Sequence, residues 1–280
     1  GILCRRESDT FLVYCPHRGE YADLLESLSA GLAGDRQAES RIRLRMGVYS
    51  QLDKTIDMER RFDRAKTAAD TVRGSFAGAV AIYDDALHES ELFAEQLLED
   101  FDKAIEERQF QVYYQPKFDI RPAAPLLSSA EALIRWKHPA LGMVSPGTFI
   151  PLFERNGLVP RLDGYVWREA ARQIREWKDR LGIAVPVSVN VSRVDMFDPN
   201  IVDHMTGLAD EFGLSRRELL LEITESAYTQ DSQQIVNTVE RLREEGFLIE
   251  MDDFGSGYSS LNMISTLPID ALKLDMQFIR

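Results

Sequence analysis

Five oxygen-bearing side chains stand at or near the ends of apolar runs: Glu131 in SSAEALIRW, Asn190 in PVSVNVS, Glu222 in LLLEITE, and the adjacent Asp252 and Asp253 in EMDDFGSG. If those runs are strands of a parallel barrel, side chains at their carboxyl ends converge on one mouth. Four carboxylates and an amide suit one or two Mg²⁺ or Mn²⁺ ions, whereas zinc would call for His or Cys ligands that these motifs lack. Two such ions can clamp the attacking and leaving oxygens of a phosphodiester displacement and acidify the water between them. Adjacent aspartates on a strand point to opposite faces, so Asp252 and Asp253 share a site only where the strand is already turning. Gly255 and Gly257 favour such a turn. Taken singly, each residue has a plainer reading: a solvated turn for the aspartates, a strand-end charge for Glu222, a turn or cap for Asn190.

Two cations stand near this set. Lys273, in ALKLD, can orient or help deprotonate a water beside the metals; its plainer role is an exposed pair with Asp275. Arg135 lies four residues after Glu131, on the same face of a strand, where its fork can bind a phosphate oxygen; its plainer role is a surface arginine. His138, in WKHP, has no chemistry suggested by its surroundings.

The elements that must position these residues follow from pattern. Strand-like runs QVYYQP, SSAEALIRW, PVSVNV, LLLEIT, FLIEMD and ALKLD alternate with helical stretches around Phe149 to Leu181, Asn200 to Phe212 and Ser232 to Glu245. Asp231 or Ser232 is a candidate N-cap, and Gly246 follows the last charged turn of its helix. A closed (β/α)₈ barrel needs eight strands, so six runs leave it two short. Upstream, apolar runs Thr10 to Cys15, Ile42 to Tyr49 and Ala77 to Tyr83 among charged helical segments predict a small α+β unit, followed by a helix from about Leu87 to Arg108.

Composition sets outer bounds. The 280 residues are ample for two domains, and 44% hydrophobic with 28% charged residues is ordinary for a globular protein. A formal charge of -13 argues against a general binder of nucleic-acid polymers, which need clustered Lys and Arg. No apolar run is long enough to span a bilayer and the first residues lack a signal-peptide layout, so the expected location is cytoplasmic, with membrane tethering open through other segments of a parent protein. Cys4 and Cys15 fit a reducing compartment and read as buried strand residues.

The order of the motifs adds more than any one of them. EALIRW, SVNVS, LEITES, DDFGSGYSSL and LKLD, in this order and near-family spacing, resemble the EAL family of cyclic di-GMP phosphodiesterases from about Phe101 to Arg280. The resemblance implies an EAL-type (β/α)₈ TIM-like barrel with Glu131, Asn190, Glu222, Asp252 and Asp253 as ligands of one or two Mg²⁺ or Mn²⁺ ions. It further implies Lys273 as the residue ordering catalytic water, Glu225 as a glutamate steadying the DDFG loop from behind, Asp275 as a further active-site carboxylate, and Gln115, Leu133 and Arg135 as the lining of the substrate site. The implied reaction opens cyclic di-GMP to linear pGpG, and the implied partner is a second copy of the domain. A non-catalytic cyclic di-GMP receptor is the alternative, disfavoured because the acidic motifs read intact; a regulatory module is another.

The first 84 residues resemble the C-terminal part of a GGDEF domain, with the signature position reading Glu7, Ser8, Asp9, Thr10, Phe11. Side chains at Glu7 and Ser8 stand where that family's glycines let nucleotide approach, and Thr10 replaces a metal-binding acid, so diguanylate cyclase activity is not expected. RMGVYS and RFDRAKTAAD read as scaffold of that domain. The expected organisation is a partial degenerate GGDEF-like domain at 1–84, a linker helix at 85–108 and an EAL domain at 109–280. Beyond LKLDMQFI the EAL family continues through a helix, a strand with an EGVE-like segment and a last strand bearing a ligand-contacting glutamine. Their absence implies a barrel incomplete at its C-terminus, with activity expected of the intact parent rather than of these 280 residues.

Overall fold

The computed structural model describes residues 1–7, 9–17, 19–32, 43–73, 79–228, 232–255 and 268–276, in two compact units, Gly1–Gln96 and Leu97–Arg280. In the first, β1 (Ile2–Arg5) and β2 (Phe11–Tyr14) form an antiparallel hairpin, followed by α1 (Tyr21–Leu32). Strands β3 (Met46–Val48) and β4 (Val80–Ile82) pair in parallel through the crossover helix α2 (Met58–Thr71), and α3 (Asp85–Glu99) follows. Asp57 caps α2 by accepting the Arg60 N–H at 2.8 Å, satisfying one orphan donor of its first turn. The helix rides directly on β3: a Cβ at Gly47 would lie 1.7 Å from the Ala65 carbonyl oxygen, so only glycine fits. The hairpin departs from expectation, because Cys4 and Cys15 are exposed thiols. Both hairpin strands leave their side chains largely in solvent, Ile2, Leu3, Phe11 and Val13 included. Of the GGDEF-like signature, Ser8 lies outside the described residues, as do Asp231 and Gly257.

The second unit begins with α4 (Phe101–Glu106), so the helical stretch at 85–108 is two helices that break at Asp100. The Asp100 carboxylate is turned to His138 Nε2, 3.0 Å away. Then follow β5 (Phe110–Asp119), β6 (Leu126–His138), β7 (Gly142–Val144), α5 (Pro146–Arg155), α6 (Val159–Leu181), β8 (Val187–Asn190), α7 (Arg193–Met196), α8 (Ile201–Glu211), β9 (Leu219–Thr224), α9 (Glu225–Tyr228), α10 (Ser232–Glu244), β10 (Leu248–Phe254) and β11 (Ala271–Leu274). The strand order is β11-β10-β9-β8-β6-β5, with β7 also on β6. All six predicted runs are strands, but their directions are not uniform. β6, β8, β9, β10 and β11 run parallel while β5 is antiparallel to β6, a correction to a wholly parallel set. Among the described residues β5 and β11 are the sheet edges.

Strand alternation explains the two faces. Val187, Val189, Leu219, Leu221, Ile249 and Met251 are all 1% exposed or less, on the face that packs under α6 and α10. Their neighbours Ser188, Asn190, Glu222, Glu250 and Asp252 therefore point to the opposite, inner face. Phe101, Phe110, Trp136, Phe149 and Phe153 form a buried aromatic cluster near one end of the β5–β6 pair, the Phe110 and Trp136 rings 4.8 Å apart. His138 belongs to this framework: its Nδ1 accepts the backbone N–H groups of Ala140 and Leu141, which leaves the proton on Nε2 to donate to Asp100. No helix among the described residues is long and apolar enough to cross a membrane.

Candidate metal centre

Register sets which inner-face side chains stand side by side across the sheet. Glu131 stands opposite Ser188, Asn190 opposite Glu222, and Glu222 opposite Glu250. Because these strands are parallel, their inner-face side chains follow the same order, and oxygens of Glu131, in the middle of β6, Glu222 and Asp252 lie within 4.8 Å of one another. Lys273, on β11, reaches into their midst: Nζ is 3.0 Å from Glu131 Oε2 and 3.2 Å from Asp252 Oδ1, and donates to Glu222 Oε1 as well. The lysine is thus bound to the three acids rather than engaged in the exposed pair with Asp275 that its sequence neighbourhood allows.

The electrostatics follow from crowding. Glu222 is 1% exposed, and burial pushes its carboxyl up to about 8 although Lys273 pulls the other way. Burial works against charge on Lys273 too, but the Glu222 and Glu131 carboxylates outweigh it and hold the ammonium pKa above its usual value. Asp252 is also partly desolvated, yet its contacts with Glu222, the Asp253 backbone and Lys273 keep its carboxyl below the usual range. Among the described residues, Glu222 Oε2 has no hydrogen-bond donor. The Asp252 carboxylate, another acceptor, also approaches Glu222, and a proton or a cation between the two carboxylates would relieve them. An orphaned buried oxygen within an all-oxygen donor set fits a hard divalent cation.

The other predicted ligands flank this cluster. β10 shifts register against β11 between Met251 and Phe254, and Asp253 adopts φ +56°, in the left-handed region that non-glycine residues seldom occupy. The strand is therefore turning where the two aspartates stand. Asp253 is exposed; partial desolvation and the charges of Asp252 and Asp275 hold its carboxyl above the usual range. Asn190 is exposed at the end of β8, its carbonyl fixed by the Trp167 indole N–H at 2.8 Å. The buried Glu225 accepts the Gly255 N–H at 2.8 Å and so pins the turn after the aspartates, where Gly255 itself needs φ +94°. The Asp275 N–H donates to the Phe254 carbonyl at 3.1 Å, tying the end of β11 to the same turn.

Glu131, Leu133 and Arg135 share a face of β6, and on β5 Gln115 stands opposite Glu131. Tyr113 stands opposite Leu133, and the Arg135 guanidinium lies 6.0 Å from the Tyr113 ring centroid. Leu133 and Arg135 are half-buried, and Gln115 and Tyr113 exposed, on a shelf beside the acids. Sequence reasoning missed a second polar group on the same inner face. Lys117 Nζ lies 2.6 Å from both Ser188 Oγ and Glu250 Oε2, and Ser188 donates to Glu250 at 2.7 Å. A count of two back from Asn190 and from Asp252 would have placed Ser188 and Glu250 inward. Nothing local pointed to Lys117, or to the Trp167 contact.

Clustered carboxylates on the inner face of a largely parallel sheet define an α/β barrel protein with an acidic, oxygen-lined site. The EAL domain family matches residues 98–280, and the chain belongs to it, with its α/β TIM-like barrel architecture. The chain is 37% identical over 84% of its length to cyclic di-GMP phosphodiesterase PA2567 of Pseudomonas aeruginosa, of which it covers 40%. It is 39% identical over 66% of its length to the bifunctional diguanylate cyclase/cyclic di-GMP phosphodiesterase MucR of that organism, of which it covers 27%. A solved structure described as the PaMucR phosphodiesterase in complex with c-di-GMP superposes with a TM-score of 0.61 at 38% identity, covering 66% of this chain and 74% of that one. The chain therefore spans well under half of the length of these curated relatives.

Proposed function

We propose that the protein carrying this domain hydrolyses cyclic di-GMP to pGpG with Mg²⁺ or Mn²⁺ as cofactor. The observation that carries the reading is the meeting of Glu131, Glu222 and Asp252 with an orphaned oxygen on Glu222. Family membership and the names of the relatives supply the substrate. One or two ions would be held by Glu131, Glu222 and Asp252, with Asn190 and Asp253 completing the set, and when bound would polarise the phosphodiester and lower the pKa of water. Lys273 keeps its proton firmly among the acids, so it acts as a donor that orients the attacking water rather than as its base. Glu225 holds the turn that carries Asp252 and Asp253, and Asp275 adds a carboxylate beside Asp253. Arg135 offers its fork to a phosphate oxygen, while Gln115 and Leu133 line the same shelf for the nucleotide.

The reading extends to the rest of the chain. Residues 1–84 act as a degenerate GGDEF-like unit without cyclase activity, 85–108 as a helical connection, and the EAL domain as the surface on which a second copy dimerises in the cytoplasm. The test is conversion of cyclic di-GMP to pGpG by this chain and by a version extended to eight barrel strands, each with Mg²⁺, with Mn²⁺ and with chelator. Metal-dependent product is expected of the extended version. Cyclic di-GMP binding without turnover in both versions, with either metal, would replace the enzyme with a non-catalytic receptor.

A further inference from the structure

The inner face carries one more acid than the cation site uses. Glu250 sits two residues before Asp252 on β10 and stands opposite Glu222 on β9, so its side chain starts on the same face as both. Left to itself, a carboxylate there would crowd Glu222 and could swing toward the cluster as an extra oxygen ligand. Instead it is turned to Lys117 and Ser188, at 2.6 Å and 2.7 Å. Glu250 is 9% exposed and Ser188 fully buried, so the contacts lie in a region where an unpaired charge is costly. Lys117 comes from β5, a strand whose ladder partner is β6; its ammonium reaches past β6 to groups on β8 and β10.

The geometry points to Lys117 as a positioning residue that restrains and neutralises Glu250, and so sets how many carboxylates, and how much negative charge, the cation site above it presents. This role rests on the divalent-cation reading of the Glu131, Glu222 and Asp252 cluster. It differs from a purely structural ion pair in one consequence: the two partners, removed singly, should move cation affinity in opposite directions. Lys117→Met frees Glu250 and adds a negative charge beneath the site; Glu250→Gln leaves an uncompensated ammonium there. An ion pair that served the fold alone would lower stability in both variants and shift cation binding in one direction or not at all.

The experiment is calorimetric titration of Mn²⁺ into the wild-type chain, Lys117→Met, Glu250→Gln and the double variant, with thermal unfolding measured on the same preparations and cyclic di-GMP turnover on the same variants of the version extended to eight barrel strands. Lys117→Met is expected to bind Mn²⁺ roughly tenfold more tightly and turn over more slowly; Glu250→Gln is expected to bind roughly tenfold more weakly. The double variant, whose net charge matches the wild type, is expected to return to within about threefold of wild-type affinity. Weaker Mn²⁺ binding in both single variants, in step with lost stability, overturns the role, as does unchanged affinity in both. A wild-type chain that binds Mn²⁺, with no cyclic di-GMP turnover in the version extended to eight barrel strands, leaves this role standing and overturns the enzyme reading. A wild-type chain that binds no Mn²⁺ overturns both.

Discussion

Two polar layers share the inner face of one sheet and are finished in opposite ways. In the lower layer Lys117, Ser188 and Glu250 satisfy one another at 2.6–2.7 Å. In the upper layer Glu131, Glu222 and Asp252 crowd one lysine, and Glu222 Oε2 has no donor among the described residues. Strand order, burial and residue types are alike, so the fold alone does not decide the outcome. The balance of charge does: one cation for one acid closes a layer, and one cation for three acids leaves it short of positive charge. A layer left short in a buried place costs stability unless a ligand completes it, which is the mark of a site rather than of a core.

The sharpest way to break the comparison is to treat the upper layer as if it were core. Glu131→Ala or Glu222→Gln should lower turnover of cyclic di-GMP by more than about 100-fold, since loss of a ligand exceeds the 10- to 100-fold typical of its supporting partners. Metal-free Glu222→Gln should nevertheless melt no earlier than wild type, because burial pushes the Glu222 carboxyl up to about 8, so near neutral pH the amide replaces a largely protonated acid and its N–H can face the Asp252 carboxylate. A marked fall in Tm with turnover retained would mean that the upper layer is structural.

Glu225 tests whether the turn beyond the aspartates belongs to the upper layer. Glu225→Gln can keep a carbonyl for the Gly255 N–H but loses the carboxylate, whereas Glu225→Ala loses the acceptor. Turnover should fall about 10- to 100-fold in the alanine variant and less in the glutamine variant, with Mn²⁺ affinity falling in parallel. Trp167→Phe sits one step further out. It keeps the ring in its buried place and deletes the N–H that holds the Asn190 carbonyl at 2.8 Å. About a tenfold loss of Mn²⁺ affinity is expected if Asn190 is a ligand, and affinity equal to wild type would remove Asn190 from the set.

Much of the upper layer was legible in the sequence, and very little of the lower. Acids at the ends of apolar runs are a local signal, because alternation and the ends of strands are both read within a few residues. The six runs became strands for the same reason: β-branched and aromatic residues in short blocks between polar segments. Direction is not local, and alternation is the same whichever way a strand runs, so the antiparallel β5 could not be read from QVYYQP. The short β7 carries too few residues for a period. Lys273 shows the limit from another side, since its sequence neighbour Asp275 is a reasonable partner, yet its ammonium contacts Glu131, 142 positions away, and Glu222, 51 positions away. Lys117 and Glu250, 133 positions apart, meet only because β5 turns back against β6 and aims a long side chain at β8 and β10. The exposed cysteines were misread because burial tendency belongs to cores, and the β1–β2 hairpin leaves its side chains in solvent.

The smallest expected effect on turnover is also the one that divides the layers most cleanly. Ser188→Ala removes a buried hydroxyl that joins Lys117 and Glu250 but leaves their direct 2.6 Å contact and the net charge unchanged. Losing a hydrogen bond to charged partners in a buried place costs about 1.5–3 kcal/mol, so a clear drop in Tm is expected. Turnover and Mn²⁺ affinity should stay within about threefold of wild type, because neither the number of acids nor their charge has changed. Set beside Glu222→Gln, the pattern inverts: one variant loses stability and keeps function, the other keeps stability and loses function. A Ser188→Ala protein with intact Tm and lost Mn²⁺ binding would reverse the assignment, making the lower layer part of the site and the hydroxyl, rather than charge balance, the feature that separates the two.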